Sequence, residues 1–397
     1  MERINWTENL HQSNTTAELT LNEFKSDELN KVKNFHASMP QYSCTPLHKL
    51  NNLANQFGVK SIDIKDESQR FGLKAFKGLG GSYAVASYFA KRLNLDLANV
   101  TYEDLMSQIN SMEPVTFATV TAGNHGKGVA WAAKIFKQKA KVILPSGSSD
   151  ERLKAIQELG AEAYISDLNY DDAVTALSQQ SEKEGWILIQ DTAWEGYNQI
   201  PLEIMKGYST IVAEIIEQID GHDLSQYSHV FLQAGVGSFA AAMVPSIYKS
   251  VVSEMPKIVI AEPSEANCLY LSAKSKDGEP NRVYGDLDSM MAGLACGEPN
   301  PYAWEILKNF SDSFFSCTDD ISAIGMRTLA NPINDDTKII SGESGALPLG
   351  LLHELMTDEA LITAKQHLNL NKESRVLIIS TEGDTNPKNY KEVINNN

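Results

Sequence analysis

The sequence predicts an α/β protein with doubly wound, mostly parallel sheets. Short runs rich in β-branched residues alternate along the chain with longer helical runs, which is the pattern of βαβ units. The strand-like runs are apolar on both faces, as strands buried inside a parallel sheet must be. With 397 residues the chain also exceeds the size at which one hydrophobic core usually stops growing, so we expect two domains.

The predicted elements follow one another in regular order after an initial polar segment. The strand-like runs are 61–64, 115–120, 141–144, 186–189, 229–232, 257–261 and 375–379. Helical runs follow the first three strands, at 81–92, 128–134 and 150–160. Residues 1–45 are polar and weakly periodic, so we expect them to form an irregular N-terminal arm.

Composition excludes several classes of protein. The chain has 34 lysines and arginines against 51 acidic residues, and the net charge of −17 disfavours binding to nucleic acid or to acidic membranes. No apolar run reaches the length of about 18 residues that a membrane span requires, and the first residues lack the layout of a secretory signal, so we expect a cytoplasmic protein. The four cysteines are widely spaced and form no Cys/His cluster, so we expect no metal site and no Cys268–Cys296 bridge.

Four turns rich in glycine and small hydroxyl residues are candidate ligand sites, because ligands of parallel sheets gather at the carboxyl ends of strands. These turns are 121–128, 233–238, 341–346 and 380–385. In 233–238, free amides at a helix start could bind a phosphate. A lone G-x-G is more often a tight packing turn, and a dinucleotide fingerprint would need a further glycine where this chain has Ala240.

Two lysines, Lys74 and Lys77, lie three residues apart beside a cluster of glycines at a predicted helix start. Most lysines are simply exposed surface residues. Glycines at this spacing nevertheless allow a flat ring to approach the backbone, and a partly desolvated lysine amine can form a Schiff base. The segment is therefore a candidate cofactor site.

Taken together, these segments resemble the diaminopropionate ammonia-lyases. This family belongs to the tryptophan-synthase-β-like group, fold type II, of pyridoxal-phosphate (PLP) enzymes. The resemblance runs from about residue 40 to about residue 390 and rests on 75–83, 123–128, 191–197, 233–238, 291–301, 341–346 and 380–385. The lysine and Gly-Asn-His-Gly motifs are common to the whole group and indicate the cofactor, whereas 191–197 and 291–301 are more particular to the lyases.

The resemblance implies a domain organisation and a set of cofactor ligands. It implies a large PLP-binding domain of residues 46–88 and 222–397, a smaller α/β domain of residues 89–221 inserted in it, and a cofactor cleft between them. Lys77 would form the Schiff base with PLP, and Asn124 would bind the ring hydroxyl. The further implied ligands are the phosphate-binding Gly235, Val236, Gly237 and Ser238, and Ser380, or its neighbour Thr381, facing the pyridine nitrogen.

Two further residues, Glu343 and His125, are candidates for the site. Glu343 is a carboxylate in the implied cofactor site and could orient the ring, although a structural hydrogen bond is an equally good interpretation. His125 follows directly after a turn, where it packs under the cofactor or holds the loop more readily than it acts as a base. No set of metal ligands emerges.

The resemblance also implies a reaction in amino-acid catabolism. It is the α,β-elimination of 2,3-diaminopropionate to pyruvate and two ammonia, by a homodimeric enzyme. The freed Lys77 amine would remove the α-proton, and Asp191 would protonate the departing amine. A serine or threonine dehydratase, a β-replacement synthase and a non-catalytic PLP-binding relative remain alternatives, because they would use the same cofactor motifs.

The chain departs from the family at Ala122, where the lyases have an aspartate thought to take the α-proton of the D-isomer. A methyl group cannot act as a base. Either Asp191 has taken over part of that role, or activity on the D-isomer is lost, or the substrate is different, or the change has no consequence. We expect activity on the L-isomer.

Overall fold

The computed structural model describes residues 2–12, 24, 28–121 and 123–395. The chain divides into two compact units, each with a sheet of its own. Unit 1 comprises Met1–Ser26, Cys44–Ala75 and Ile211–Asn397, and unit 2 comprises Asp27–Ser43 and Phe76–Thr210. Both sheets are wholly or mostly parallel, which confirms the predicted α/β class. None of the described helices is long and apolar enough to cross a membrane.

Within the described residues, unit 1 is built on a seven-stranded sheet in the order β1-β10-β9-β8-β11-β3-β2. Its strands are β1 (Ile4–Glu8), β2 (Leu47–Lys49), β3 (Ser61–Asp66), β8 (His229–Gln233), β9 (Lys257–Pro263), β10 (Ser313–Cys317) and β11 (Arg375–Ser380). The five inner strands run parallel, and β1 and β2 pair antiparallel at the two edges. All five residues of the central strand β8 are buried, as the continuous apolar run predicts.

The helices of unit 1 lie between its strands along the chain or after the last strand. They are α2 (Asn51–Phe57), α9 (Thr210–Gln218, whose first residue is the last of unit 2), α10 (Ser238–Tyr248), α11 (Cys268–Lys274), α12 (Pro301–Phe310), α13 (Asp319–Ala330), α14 (Glu343–Thr357), α15 (Ile362–Leu368) and α16 (Pro387–Asn395). Short 3₁₀ turns lie at Arg70–Gly72, Asp220–His222, Leu224–Gln226, Ser264–Ala266 and Glu359–Leu361.

Unit 2 has a fully parallel sheet in the order β6-β5-β4-β7 over its described residues. The strands are β4 (Thr116–Val120), β5 (Lys139–Leu144), β6 (Glu162–Ile165) and β7 (Ile187–Leu188). The helices are α1 (Glu28–Ala37), α3 (Gly78–Leu93), α4 (Tyr102–Ile109), α5 (Asn124–Ile135), α6 (Asp150–Gln157), α7 (Tyr170–Glu184) and α8 (Gln199–Tyr208). β7 is an edge strand of only two residues, and it leads directly to the 191–197 segment.

The predicted irregular arm of residues 1–45 is partly wrong. Residues 4–8 form strand β1, in which side chains alternate between the two faces. Ile4 is buried and Trp6, two residues later on the same face, stacks on Phe315 of β10. Helix α1 of unit 2 buries Val32 and Phe35 on one face, three residues apart. Residues 1, 13–23 and 25–27 of the predicted arm lie outside the described residues.

The boundaries between the units also differ from the predicted ones near residues 88 and 221. A Cβ atom at Gly80 of α3 would lie 2.6 Å from the Tyr208 ring of α8, so these helices are in close contact and α3 belongs to unit 2. Glu214 of α9 is buried against Lys65 of β3, so most of α9 belongs to unit 1. These contacts join residues over 100 positions apart, which local sequence patterns cannot reveal.

A buried ionic network fastens α9 to β3 in unit 1. The Glu214 carboxylate accepts hydrogen bonds from Lys65 Nζ and from Arg70 Nη1, each at 2.7 Å, and Arg70 also donates to Glu67 at 2.8 Å. All four side chains are fully buried. Burial alone would raise the pKa of Glu214, but Arg70 and Lys65 hold this pKa well below its usual range. Glu214 is therefore ionised, and it is the partner that Lys65 and Arg70 share.

We predict that Glu214→Ala lowers the free energy of unfolding by about 3–5 kcal/mol, because it leaves buried cations without their partner. Urea denaturation followed by circular dichroism measures the change. Lys60→Ala is the control, since the exposed Lys60–Glu373 pair at 3.4 Å contributes less than about 1 kcal/mol. Equal effects of the two substitutions would contradict the account.

Candidate active site

Lys77 lies at the start of helix α3 in unit 2, with its amine against a carboxylate. Its Nζ atom donates a hydrogen bond to Asp191 Oδ2 at 2.6 Å. The same atom lies 5.4 Å from the centre of the Phe76 ring and 5.6 Å from that of Tyr208. Only 17% of the Lys77 side chain is exposed. The amine is therefore partly desolvated, which is the condition for a reactive lysine.

The backbone of Lys77 is held by a close approach of helices α3 and α5. A Cβ atom at Gly128 would lie 2.7 Å from the Lys77 carbonyl oxygen, and one at Gly81 would lie 2.8 Å from the carbonyl oxygen of Gly128. Both obstacles are backbone atoms, which cannot move aside as a flexible side chain can. The glycines thus fix where the lysine emerges.

Asp191 follows β7 and is ionised. Burial acts to raise the pKa of Asp191, but the charge and the hydrogen bond of Lys77 oppose this effect, and the pKa lies well below its usual range. The carboxylate therefore carries a negative charge beside Lys77 throughout the neutral pH range. Sequence reasoning named both residues, and unit 2 brings them into direct contact across 114 positions of the chain.

His125 has the environment of a structural residue. Its Nε2 atom lies 2.8 Å from the carbonyl oxygen of Ile189, so this nitrogen carries the hydrogen. Burial lowers the pKa of His125, which keeps the ring neutral. Among the described residues its Nδ1 atom has no hydrogen-bond partner, and it lies 3.7 Å from Asp191 Oδ2. The ring thus holds the segment before Asp191. Asn124, half-buried, begins α5 one residue earlier.

Unit 1 contains the predicted phosphate loop between β8 and α10. Gly237 has φ +95°, a left-handed conformation that favours glycine, and it precedes α10 without a side chain to cap the helix. A Cβ atom at Gly235 would lie 3.1 Å from the Leu294 backbone. The Ser238 hydroxyl accepts a hydrogen bond from Asn300 Nδ2 at 2.8 Å, and Val236 is half-buried. An uncapped helix start of this kind suits an anionic phosphate.

Ser380 ends β11, next to β8 in the same sheet. Its buried hydroxyl donates a hydrogen bond to Ser341 Oγ at 2.8 Å. The neighbouring Thr381 hydroxyl accepts one from Gln233 Nε2 at 2.7 Å. Gln233 therefore links the ends of the two strands that carry the phosphate loop and Ser380, and sequence reasoning did not single out this role.

Glu343 begins helix α14 and is buried. Its Oε1 atom accepts a hydrogen bond from Asn389 Nδ2 of α16, which is a structural partner. Ala122, the position that departs from the family, lies outside the described residues.

The residues of the two units fit PLP in their chemistry. Unit 2 offers a partly desolvated amine, and unit 1 offers an uncapped, glycine-shaped helix start for a phosphate and a hydroxyl for a ring nitrogen.

Tyr208, which sequence reasoning missed, lies against the amine. No local pattern could have identified it, because its contact with Lys77 spans 131 positions.

We predict that Gly128→Ala lowers the free energy of unfolding by about 1–3 kcal/mol and reduces activity, because α5 must shift away from the Lys77 backbone. Thermal unfolding and initial rates measure both effects. Lys134→Ala on the exposed face of the same helix is the control and should change stability by less than about 0.5 kcal/mol. A Gly128→Ala protein that matches this control would show that the close approach is unimportant.

Comparisons with known proteins agree with this description. Residues 39–382 match the family model described as pyridoxal-phosphate dependent enzyme. Diaminopropionate ammonia-lyase of Escherichia coli K12 is 46% identical over 371 residues, covering 94% of this chain and 92% of the relative. The Salmonella typhimurium enzyme of that name is 46% identical over 367 residues, covering 92% and 91%.

Solved structures show the same similarity. The crystal structure of the Escherichia coli lyase in complex with an aminoacrylate-PLP azomethine reaction intermediate has a TM-score of 0.90 and 42% identity, covering 99% of this chain and 97% of the other. A threonine deaminase from Solanum lycopersicum, with a TM-score of 0.70 and 21% identity over 98% and 96% of the two chains, shares the fold. The predicted family, fold type and cofactor are confirmed: this chain belongs to the diaminopropionate ammonia-lyases, a family of PLP-dependent enzymes.

Proposed function

We propose that this protein converts 2,3-diaminopropionate and water to pyruvate and two ammonia by PLP-dependent α,β-elimination. The observation that carries the proposal is the 2.6 Å contact between Lys77 Nζ and Asp191 Oδ2. It joins an amine that can exchange a proton with the substrate's α-carbon to a carboxylate that can pass a proton onward. The name that the Escherichia coli and Salmonella typhimurium relatives share, diaminopropionate ammonia-lyase, supports the same reaction.

Lys77 binds the cofactor through its amine and then acts as the base. When bound, PLP supplies an electron-withdrawing ring that stabilises negative charge at the substrate's α-carbon. Asn124 binds the ring hydroxyl. With its amine free in the presence of substrate, Lys77 would take the α-proton. Its partial desolvation and the fixed position of its backbone favour this role.

Asp191 acts as a proton relay to the departing β-amine. Because its pKa lies below the usual range, Asp191 is ionised and does not hold a proton of its own in the resting protein. It can take a proton from Lys77 Nζ, at hydrogen-bond distance, and deliver it to the amine, which leaves only when protonated.

The remaining roles fall to unit 1. The backbone amides of Gly235, Val236, Gly237 and Ser238 bind the phosphate. Ser380 would hold the pyridine nitrogen, and a hydroxyl in that role would not force the nitrogen to stay protonated, which suits elimination. Thr381 is the alternative candidate, because its hydroxyl accepts a hydrogen bond from Gln233 and keeps its own hydrogen to donate. Glu343 supports the site structurally through Asn389.

We further propose that the protein is a cytoplasmic homodimer that takes small amino acids as its substrates. The family resemblance and the general frequency of two-fold oligomers support the dimer. The net charge of −17 supports a protein that binds neither nucleic acid nor acidic membranes.

We predict that the PLP-loaded protein forms pyruvate from L-2,3-diaminopropionate and not from the D-isomer, because Ala122 cannot act as a base. Pyruvate is measured with lactate dehydrogenase. L-Serine and D-serine are parallel substrates, and L-threonine is assayed for 2-oxobutyrate. Turnover of both diaminopropionate isomers would show that another group, such as Asp191, supplies the second base. Activity on hydroxy amino acids alone would contradict the proposal and indicate a dehydratase.

We predict that Lys77→Ala abolishes the visible absorbance of the purified protein together with its activity. Asp191→Asn should keep the absorbance and lose about 10²–10⁴-fold in kcat, the usual contribution of a proton-transfer group. Lys74→Ala is the matched control, since Lys74 pairs with Asp384 at 2.7 Å rather than with Asp191. Unchanged absorbance in Lys77→Ala would refute the assignment of this lysine.

A further inference from the structure

We propose that the Tyr197 hydroxyl is a positioning group that holds Asp191 in contact with Lys77. The inference rests on the proposed function, in which these two residues move the proton. Tyr197 itself contacts neither Lys77 nor Asp191 through a hydrogen bond of its hydroxyl. It acts on the backbone of the residues that come directly before Asp191.

The Tyr197 hydroxyl takes the place of a neighbouring strand. β7 is an edge strand, and in the described part of unit 2 its only strand partner is β4. On the opposite edge, the hydroxyl accepts a hydrogen bond from Gln190 N at 2.8 Å and donates one to the Leu188 carbonyl oxygen at 2.9 Å. One phenol therefore satisfies the donor and the acceptor that an absent strand would otherwise pair.

On the edge that faces β4, a side chain continues the hydrogen bonding beyond the end of β7. Backbone pairing with β4 ends at Ile189 N, which donates to Ala118 O at 2.8 Å. Beyond it, the Gln190 side-chain amide accepts from Val120 N at 3.1 Å and donates to Val120 O at 2.8 Å. The segment before Asp191 is thus bonded on both edges.

Tyr197 is itself held in place. Trp194 and Tyr197 exchange two backbone hydrogen bonds, of 3.1 and 2.9 Å, across a tight turn that contains Gly196 at φ +84°. The two rings stack with their centres 4.2 Å apart. Burial raises the pKa of Tyr197 well above its usual value, so its hydroxyl keeps the proton that it donates to Leu188.

Asp191 therefore lies in a loop that the Tyr197 hydroxyl closes onto Gln190. Without this hydroxyl, Gln190 N and the Leu188 carbonyl, on the edge away from β4, lose their protein partner. The backbone that precedes Asp191 can then rotate. The carboxylate must then leave its 2.6 Å contact with Lys77 part of the time. The expected defect is in proton transfer and not in cofactor binding, because Tyr197 is not among the proposed PLP ligands.

The test is Tyr197→Phe in the full-length PLP-loaded protein, with Tyr102→Phe as matched control. Tyr102 also donates from a part-buried hydroxyl to a backbone carbonyl of unit 2, Ile135 O at 2.6 Å. We expect Tyr197→Phe to lower kcat for L-2,3-diaminopropionate about tenfold, with KM changed less than twofold and full PLP content. Tyr102→Phe should keep wild-type kcat.

A second readout does not depend on catalysis. In the full chain freed of PLP, the rate at which an amine-acylating reagent modifies Lys77 is followed by mass spectrometry. A nearby carboxylate favours the charged, unreactive amine, so Asp191→Asn should accelerate modification. Tyr197→Phe should accelerate it in the same direction, and the double variant should react no faster than Asp191→Asn alone.

The outcomes separate this inference from the proposed function. Unchanged Lys77 modification in Tyr197→Phe, or additive effects in the double variant, would overturn the positioning role even if the protein is a lyase. Absence of pyruvate from the wild type would refute the proposed function and leave the modification test valid. Should Tyr197→Phe fail to fold, Trp194→Leu, which removes the stacked ring, should accelerate Lys77 modification in the same way, and no acceleration would overturn the role.

Discussion

The contact between the Lys77 amine and the Asp191 carboxylate is the interaction on which the rest of the candidate active site depends. An ammonium and a carboxylate 2.6 Å apart and mostly hidden from water attract each other strongly, but they pair only if the backbone holds both. Unit 2 holds both residues. The close approach of α3 and α5 at Gly128 fixes the backbone of the lysine. The segment after β7, which is hydrogen-bonded on both of its edges, fixes the backbone before the aspartate.

The two units supply different chemistry by the same structural principle. In each, the groups follow the carboxyl end of a parallel strand, where ligands of such sheets gather. Unit 2 places the 123–128 turn after β4 and Asp191 after β7, and unit 1 places the phosphate loop after β8 and Ser380 at the end of β11. The buried network around Glu214 keeps α9 on the unit 1 sheet through side chains that are not among the proposed cofactor ligands.

The sequence predicted the α/β class and four of the five inner strands of unit 1, because strands such as β9 and β11 are short apolar runs rich in β-branched residues. It missed the inner strand β10, whose two phenylalanines lie between serines. It failed for β1 and α1, whose apolar positions are few and lie in polar surroundings. Motifs of glycine and lysine led to Lys77 and the phosphate loop. Tyr208, Gln233 and the role of Tyr197 could not be predicted, since each acts through a contact that only the folded chain creates.

The most direct measurement of the central claim is the site at which PLP attaches to the protein. Borohydride reduction of the PLP-loaded protein fixes the cofactor to its lysine, and peptide mapping by mass spectrometry then locates it. The account predicts a pyridoxyl group on the Lys77 peptide in stoichiometric amount. Modification of Lys74 or of any other lysine, with Lys77 unmodified, would contradict it.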